Sequence, residues 1–146
     1  MEDRFTQQLK KGILEMLVLM LVCREPTYGY ALQNQLKELS HGRFVLKEGT
    51  LYPILYRLED EGLIAARWSQ GQGRIAPKKL YEATDKGKEE NIRRHQLWQE
   101  FQTTVNSFLK EALRNHDTGR EKNEALYTRG RTAIESAERG PVQSHE

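Results

Sequence analysis

A chain of 146 residues with 37% hydrophobic and 30% charged side chains holds one domain with a modest core plus an appendage, in a charge-rich, largely helical frame. Its formal charge of +2 is too small to demand a polyanionic partner, and the single cysteine, Cys23, excludes an intrachain disulfide framework and suits a reducing compartment. Distribution is more informative than the total: no acidic residue lies between Gly62 and Tyr81, where Arg67, Arg74, Lys78 and Lys79 are all found.

The first expected helix covers residues 5–23. Its second half, residues 16–23, is apolar on every side and must be covered all round, in part by a second subunit. The run follows Lys10 and Lys11 as a secretory signal would. However, Glu15 interrupts it, Arg24-Glu25-Pro26 follows it, no small-residue cleavage site appears, and it is too short to span a bilayer. A buried helix in a cytoplasmic protein with no membrane partner is the expectation. Pro26-Thr27 then breaks the chain, with Thr27 as an N-cap. A second helix follows, carrying Tyr28, Leu32, Leu36 and Leu39 on one stripe until Ser40-His41-Gly42 ends it.

Residues 49–63 form the most telling segment. Leu51, Leu55 and Leu58 fall at helical spacing, with Ile54 beside them, and are buried together. Thr50, Tyr52, Pro53, Tyr56 and Arg57 stay on or near the outer face. Pro53 is expected in the first turn, where a missing N–H costs nothing, and Gly62 at a left-handed stop. A helix buried along its back and armed at its front suits a DNA major groove; an ordinary core helix has the same pattern. Residues 63–70 alternate as a strand, with Ile64, Ala66 and Trp68 on one face and Arg67 on the other. Residues 79–83 offer the return strand across a loop that carries Arg74 and Lys78 toward phosphate. Trp68 is expected to pack.

Thr84-Asp85 caps a fourth helix expected to reach residue 113, roughly 43 Å at the usual rise. That exceeds what so small a domain covers. Trp98, Phe101, Val105, Phe108 and Ala112 alternate spacings of three and four, the pattern of a short coiled-coil seam. The expected architecture is therefore mainly α: a winged helix-turn-helix domain over residues 1–84 (three helices plus a β-hairpin wing), a long C-terminal dimerisation helix over 85–114, and a polar mobile tail over 115–146, in which Leu126, Ala133, Ile134 and Ala137 line a weak helix.

Several segments together resemble the PadR family of bacterial transcriptional regulators. They are Thr27-Tyr28-Gly29-Tyr30, Glu48-Gly49-Thr50-Leu51-Tyr52-Pro53, Arg57-Leu58-Glu59, Glu61-Gly62-Leu63-Ile64, and the stretch from Tyr81 to Gly87. The resemblance implies a homodimeric winged-helix regulator, usually a repressor, of a palindromic operator in double-stranded DNA; some members respond to small, often aromatic molecules. By position it implies that Tyr28, Thr50, Tyr52, Pro53 and Arg57 fall in the DNA-reading half and Arg74 and Lys78 in the wing. Lys47, just ahead of the third helix, joins this DNA-binding set. A tryptophan of the last helix stacks flat ligands across the dimer axis in drug-sensing members, and Trp98 stands at the matching place. The chain departs from the family in the Ile75-Ala76-Pro77 insertion of the wing, in Ala83 where leucine is usual, and in the polar His95, Gln99 and Gln102 around Trp98.

Each singled-out residue also has a plainer role. Arg57 reads guanine through its planar fork or pairs with Glu61 one turn on. Trp98 stacks a ligand or fills a dimer core shared with Phe101, Val105 and Phe108. Tyr28 packs its ring while its hydroxyl meets phosphate. Cys23 is expected to be an inert buried thiol. His41, His95, His116 and His145 lack ligand spacing, so no metal or cofactor is expected. No phosphate loop, nucleophile elbow or acid–base pair is present, so the chain is not expected to be an enzyme. The alternatives to a repressor are a sequence-neutral DNA-binding protein and a protein-interaction module that docks through the long helix.

Overall fold

The long apolar run near the N-terminus dictates the arrangement of the other elements, because a helix this greasy must be wrapped. In the computed structural model, which describes residues 2–114 and 127–131, it forms helix α1 (Arg4–Arg24). Asp3 caps it by accepting the Thr6 N–H at 2.8 Å, and that backbone bond holds the Asp3 carboxyl below the usual carboxylate range. Leu14, Val18, Leu19, Leu21 and Val22 are buried, with Leu17 and Cys23 packed at their edge. Strand β1 (Thr27–Tyr28), helix α2 (Gly29–Leu39), helix α3 (Glu48–Asp60), strands β2 (Ile64–Trp68) and β3 (Lys79–Ala83), and helix α4 (Asp85–Arg114) follow. The core joins α1 to Leu32 and Leu36 of α2, four residues of α3, Leu63, Ile64 and Tyr81. Each such aliphatic side chain contributes about 1.5–3 kcal/mol by leaving water.

The three strands form one antiparallel sheet in the order β1-β3-β2. The hairpin is as expected, but β1 is not: Thr27 does not cap α2. It pairs with Tyr81, and Tyr28 with Leu80, so Tyr28 becomes the N-cap residue of α2 with no side-chain cap bond. Two stripe residues of α2 also differ from expectation: Tyr28 and Leu39 are exposed, because only the middle of this short helix meets the core. Trp68 is 66% exposed and does not pack, since β2 runs beyond the core after its buried start at Ile64. Pro53 is the sixth residue of α3, not a first-turn residue, because the helix starts early, with the Lys47 carbonyl accepting the Thr50 and Leu51 N–H groups. The carbonyl that Pro53 fails to bond belongs to Gly49, which is exposed, so the lost bond leaves no buried acceptor.

Gly62 takes the left-handed conformation, φ 73°, and closes α3 in a Schellman turn. The Leu63 N–H returns to the Leu58 carbonyl at 2.9 Å while both side chains enter the core. Thr84 then reaches back: its N–H donates to the Leu63 carbonyl at 3.1 Å and its hydroxyl to the Gly62 carbonyl at 2.6 Å. The same hydroxyl accepts the Gly87 N–H at 3.0 Å and so caps α4. Arg94 on the next turns of α4 pairs with Glu61 at 3.3 Å and Glu90 at 3.0 Å. Its neighbour Arg93 and Arg94 itself together hold the Glu90 carboxyl down to about 2.

The chain divides into two compact units, Met1–Leu97 and Trp98–Glu146. In the second, α4 continues to Arg114 and residues 127–131 are helical; the remainder of the tail expectation lies outside the described residues. No described helix is long and apolar enough to cross a membrane.

Gly87 is the tightest point of the first unit: a Cβ there would lie 1.9 Å from the Leu63 carbonyl oxygen. Replacing Gly87→Ala should therefore cost at least about 2 kcal/mol of stability in urea denaturation, since backbone cannot yield as a side chain can. Gly49→Ala, with nothing within 4 Å, should be neutral or stabilising by up to about 1 kcal/mol.

Candidate nucleic-acid interface

Helix α3 splits its residues as an amphipathic helix must. Leu51, Ile54, Leu55 and Leu58 are buried, while Thr50, Pro53, Tyr56 and Arg57 are exposed, along with Lys47 at the N-cap position. Tyr52 lies at the edge of that face: it is half-buried, and its hydroxyl lies 3.0 Å from where a Cβ on Gly29 would stand. A side chain at Gly29 would push the Tyr52 hydroxyl aside by a few tenths of an ångström.

Lys47, Thr50, Pro53 and Arg57 come together along an open groove of about 1040 Å³, with Lys10 and Lys11 of α1 on its other wall. Two of its cations are already engaged. Lys10 pairs with Glu2, and Arg57 Nε donates to Glu15 Oε1 of α1 at 2.5 Å. The alternative Arg57–Glu61 pair does not form, because Glu61 turns to Arg94 and the guanidinium faces α1. Such half-exposed pairs are worth at most about 1 kcal/mol, so a phosphate or base edge can compete for Arg57. Lys11 and Lys47 stand exposed at this groove, and sequence reasoning had passed over Lys10 and Lys11 because they precede the apolar run on a different helix.

The wing is closed at its base by two bonds, Ser69 N–H to the Lys78 carbonyl at 2.7 Å and Lys78 N–H to Ser69 Oγ at 3.0 Å. The insertion folds onto the loop: Ile75 N–H donates to the Gln72 carbonyl at 3.1 Å, and Gly73 adopts φ 61° at the turn. Arg74 is exposed at this tip and lines neither concave surface.

The remaining predicted residues, Tyr28, Tyr52 and Lys78, gather elsewhere, around a cavity of about 490 Å³ between the start of α2, α3 and the hairpin. Its other walls include Tyr56, Trp68, Lys79 and Tyr81. Lys79 Nζ sits 5.7, 5.9 and 6.0 Å from the Tyr56, Trp68 and Tyr81 ring centres and 3.7 Å from Glu59 Oε1. Burial first, then the nearby Glu59 carboxylate, pushes the Tyr81 phenol up to about 12, so it remains a protonated donor. Sequence reasoning missed Lys79 and Tyr81 as site residues. The signal was the strand alternation that places Tyr81 inward, but its meaning required the β1 partner.

On α4, Trp98 is 41% exposed, Phe101 65%, Val105 53% and Phe108 74%, a continuous apolar seam left open in the single chain. Cys23 is half-buried with Sγ 3.8 Å from the Gly87 carbonyl oxygen, and burial raises its thiol pKa. Among the described residues no group of three histidine, cysteine or carboxylate side chains is placed to hold a metal.

A family model described as the transcriptional regulator PadR-like family matches residues 18–93. Two solved structures are similar over most of the chain. One, of a PadR family transcriptional regulator from Eggerthella lenta, is 37% identical, covers 72% of this chain and 88% of its own, and superposes with a TM-score of 0.63. The other, of a PadR-like transcriptional regulator from Bacillus cereus, is 36% identical, covers 70% and 96% respectively, and gives a TM-score of 0.59. An uncharacterised protein of Lysinibacillus sphaericus is 28% identical over 103 residues, which is 68% of this chain and 91% of that protein.

Proposed function

Because this chain belongs to the PadR-like family of transcriptional regulators, which bind DNA, we propose that it acts as a homodimeric repressor of a palindromic operator. The observation that carries the reading is the division of α3, with four apolar residues sealed in the core and Lys47, Thr50, Pro53 and Arg57 presented along one open groove. A helix so presented enters a major groove by its N-terminal half. There the N–H groups of its first turn favour phosphate and Arg57 reaches base edges, best of all guanine. Arg74 at the wing tip follows the flanking backbone, while Tyr28, Tyr52 and Lys78 meet phosphate beside it. The two half-sites lie about one helical turn, or a multiple of it, apart.

The partner for the α4 seam is a second copy of the same chain. A helix with apolar residues at alternating spacings of three and four, and those residues exposed, buries them against an equivalent helix. Trp98 at that seam offers a flat aromatic effector a stacking surface, and its occupation biases the separation of the two reading heads. Nothing in this reading requires catalysis.

Footprinting of DNA upstream of the protein's own coding region supplies the operator. On it, Arg57→Ala should weaken binding about 10- to 100-fold and relax preference at one base position, as loss of a bidentate base contact does. Arg74→Ala should weaken all sequences alike and reduce the salt slope by about 1. Equal affinity for operator and competitor DNA would instead mark a sequence-neutral binder. Sedimentation should show a dimer that Phe101→Glu with Phe108→Glu converts to monomer, with operator affinity lost in parallel. Titration of a flat aromatic ligand should quench Trp98 and lower operator affinity together; quenching with unchanged affinity counts against the switch.

A further inference from the structure

The cavity between α2, α3 and the hairpin has more chemistry than a passing phosphate contact needs. Tyr28, Tyr30, Tyr56 and Trp68 are large aromatics that stay 36%, 75%, 52% and 66% exposed around it, an uncommon concentration of ring surface facing water. Tyr52 and Tyr56 lie with ring centres 6.3 Å apart and planes inclined by 40°, leaving an open angle and no closed stack. The volume of about 490 Å³ is within the range of pockets that take a small organic ligand.

Polar groups converge on the same space. Lys78 is exposed and makes no ion pair among the described residues, while Lys79 shares its ammonium loosely with Glu59 at 3.7 Å. Gly29, Tyr30 and Ala31 bring the first turn of α2 to the wall, and its N-cap residue Tyr28 offers no side-chain oxygen to those N–H groups. Tyr81 is fully buried, lines the cavity, and has a hydroxyl with no hydrogen-bond partner. A buried orphan donor is costly unless something accepts from it.

We propose that this cavity is a site for one unpaired nucleotide, its base stacked among the Tyr28, Tyr56 and Trp68 rings and its phosphate held by Lys78, Lys79 and the first turn of α2. Rings plus cations are the combination that binds unpaired nucleotides with little regard to sequence. The Tyr81 hydroxyl donates to a ligand oxygen and so satisfies the one orphan in the wall. Glu59, whose carboxylate faces Lys79, disfavours a ligand carrying more negative charge than Lys78 and Lys79 can balance. Tyr28, Tyr52 and Lys78 are also proposed phosphate contacts for duplex DNA, so a nucleotide here competes with the wing's hold on the operator. The nucleotide is either free in solution or the unpaired end of a strand, and both present the same flat base and phosphate.

The test uses the full chain with Trp98→Phe, so that Trp68 is the reporting tryptophan, titrated with adenosine monophosphate, adenosine, inorganic phosphate and a short single-stranded oligonucleotide. Saturable quenching by the monophosphate, with adenosine and phosphate each at least about tenfold weaker, is expected if base and phosphate both engage. Quenching by the oligonucleotide alone supports the site with a strand end as its source. Lys78→Met and Tyr56→Ala should each weaken the response about tenfold, and the near-isosteric Tyr81→Phe should weaken it while leaving the urea midpoint no lower. Absence of saturable quenching by both nucleotide and oligonucleotide, or an unchanged response in the Lys78→Met and Tyr56→Ala proteins, overturns the proposal. Operator binding measured on the same preparation keeps the two readings apart. Duplex binding without a nucleotide response removes this inference alone, whereas a nucleotide response without duplex binding supports it and removes the repressor reading.

Discussion

Thr84 and Gly87 clasp the Gly62–Leu63 turn, and the positions of the groove and of the hairpin depend on that contact. One hydroxyl donates to the Gly62 carbonyl and accepts the Gly87 N–H, so the end of α3, the start of β2 and the first turn of α4 share a single anchor. Gly87 has to be glycine because backbone meets backbone there, and Gly62 has to tolerate positive φ for the chain to turn. The Schellman bond from Leu63 to Leu58 then sets the angle at which α3 leaves the core. Loosening this joint would displace α3 and the hairpin together, although Gly62, Thr84 and Gly87 lie outside both.

With α3 so held, its sides face two different surroundings. One looks across to α1, where acidic Glu2 and Glu15 engage Lys10 and Arg57. The other looks toward the hairpin, where rings surround Lys79. The first is a cationic groove tempered by exposed ion pairs that dissociate at little cost, which suits a polyanion arriving from solvent. The second is an aromatic recess, in which the rings of Tyr56, Trp68 and Tyr81 surround the Lys79 ammonium and burial keeps Tyr81 a neutral phenol. One small helix thus separates two chemically distinct surfaces, a cationic groove and a ring-lined recess.

The α4 seam follows a different logic. Its apolar residues are exposed at alternating spacings of three and four, the pattern by which coiled-coil helices bury such a seam, while the polar residues between them face water. Within the family to which the chain belongs, regulation of transcription is the common activity.

Features carried by near neighbours were legible from the residues alone. Periodicity located four helices and the hairpin, Gly62 marked the left-handed stop, Thr84 the cap of α4, and Leu51, Ile54, Leu55 and Leu58 the buried back of α3. Each signal is local, since a cap or a stripe is set by residues within a turn or two of one another. Contacts between distant segments were settled only by packing. Thr27 and Tyr28 became a strand because β3 lay beside them, and Arg57 found Glu15 forty-two residues away in place of Glu61. The expected DNA set fell into three places, a groove, a ring-lined cavity that Lys79 and Tyr81 also line, and the wing tip with Arg74. Composition and spacing specify which side chains turn inward, but which of them then meet depends on how the buried faces of α1, α2, α3 and the sheet fit together in three dimensions.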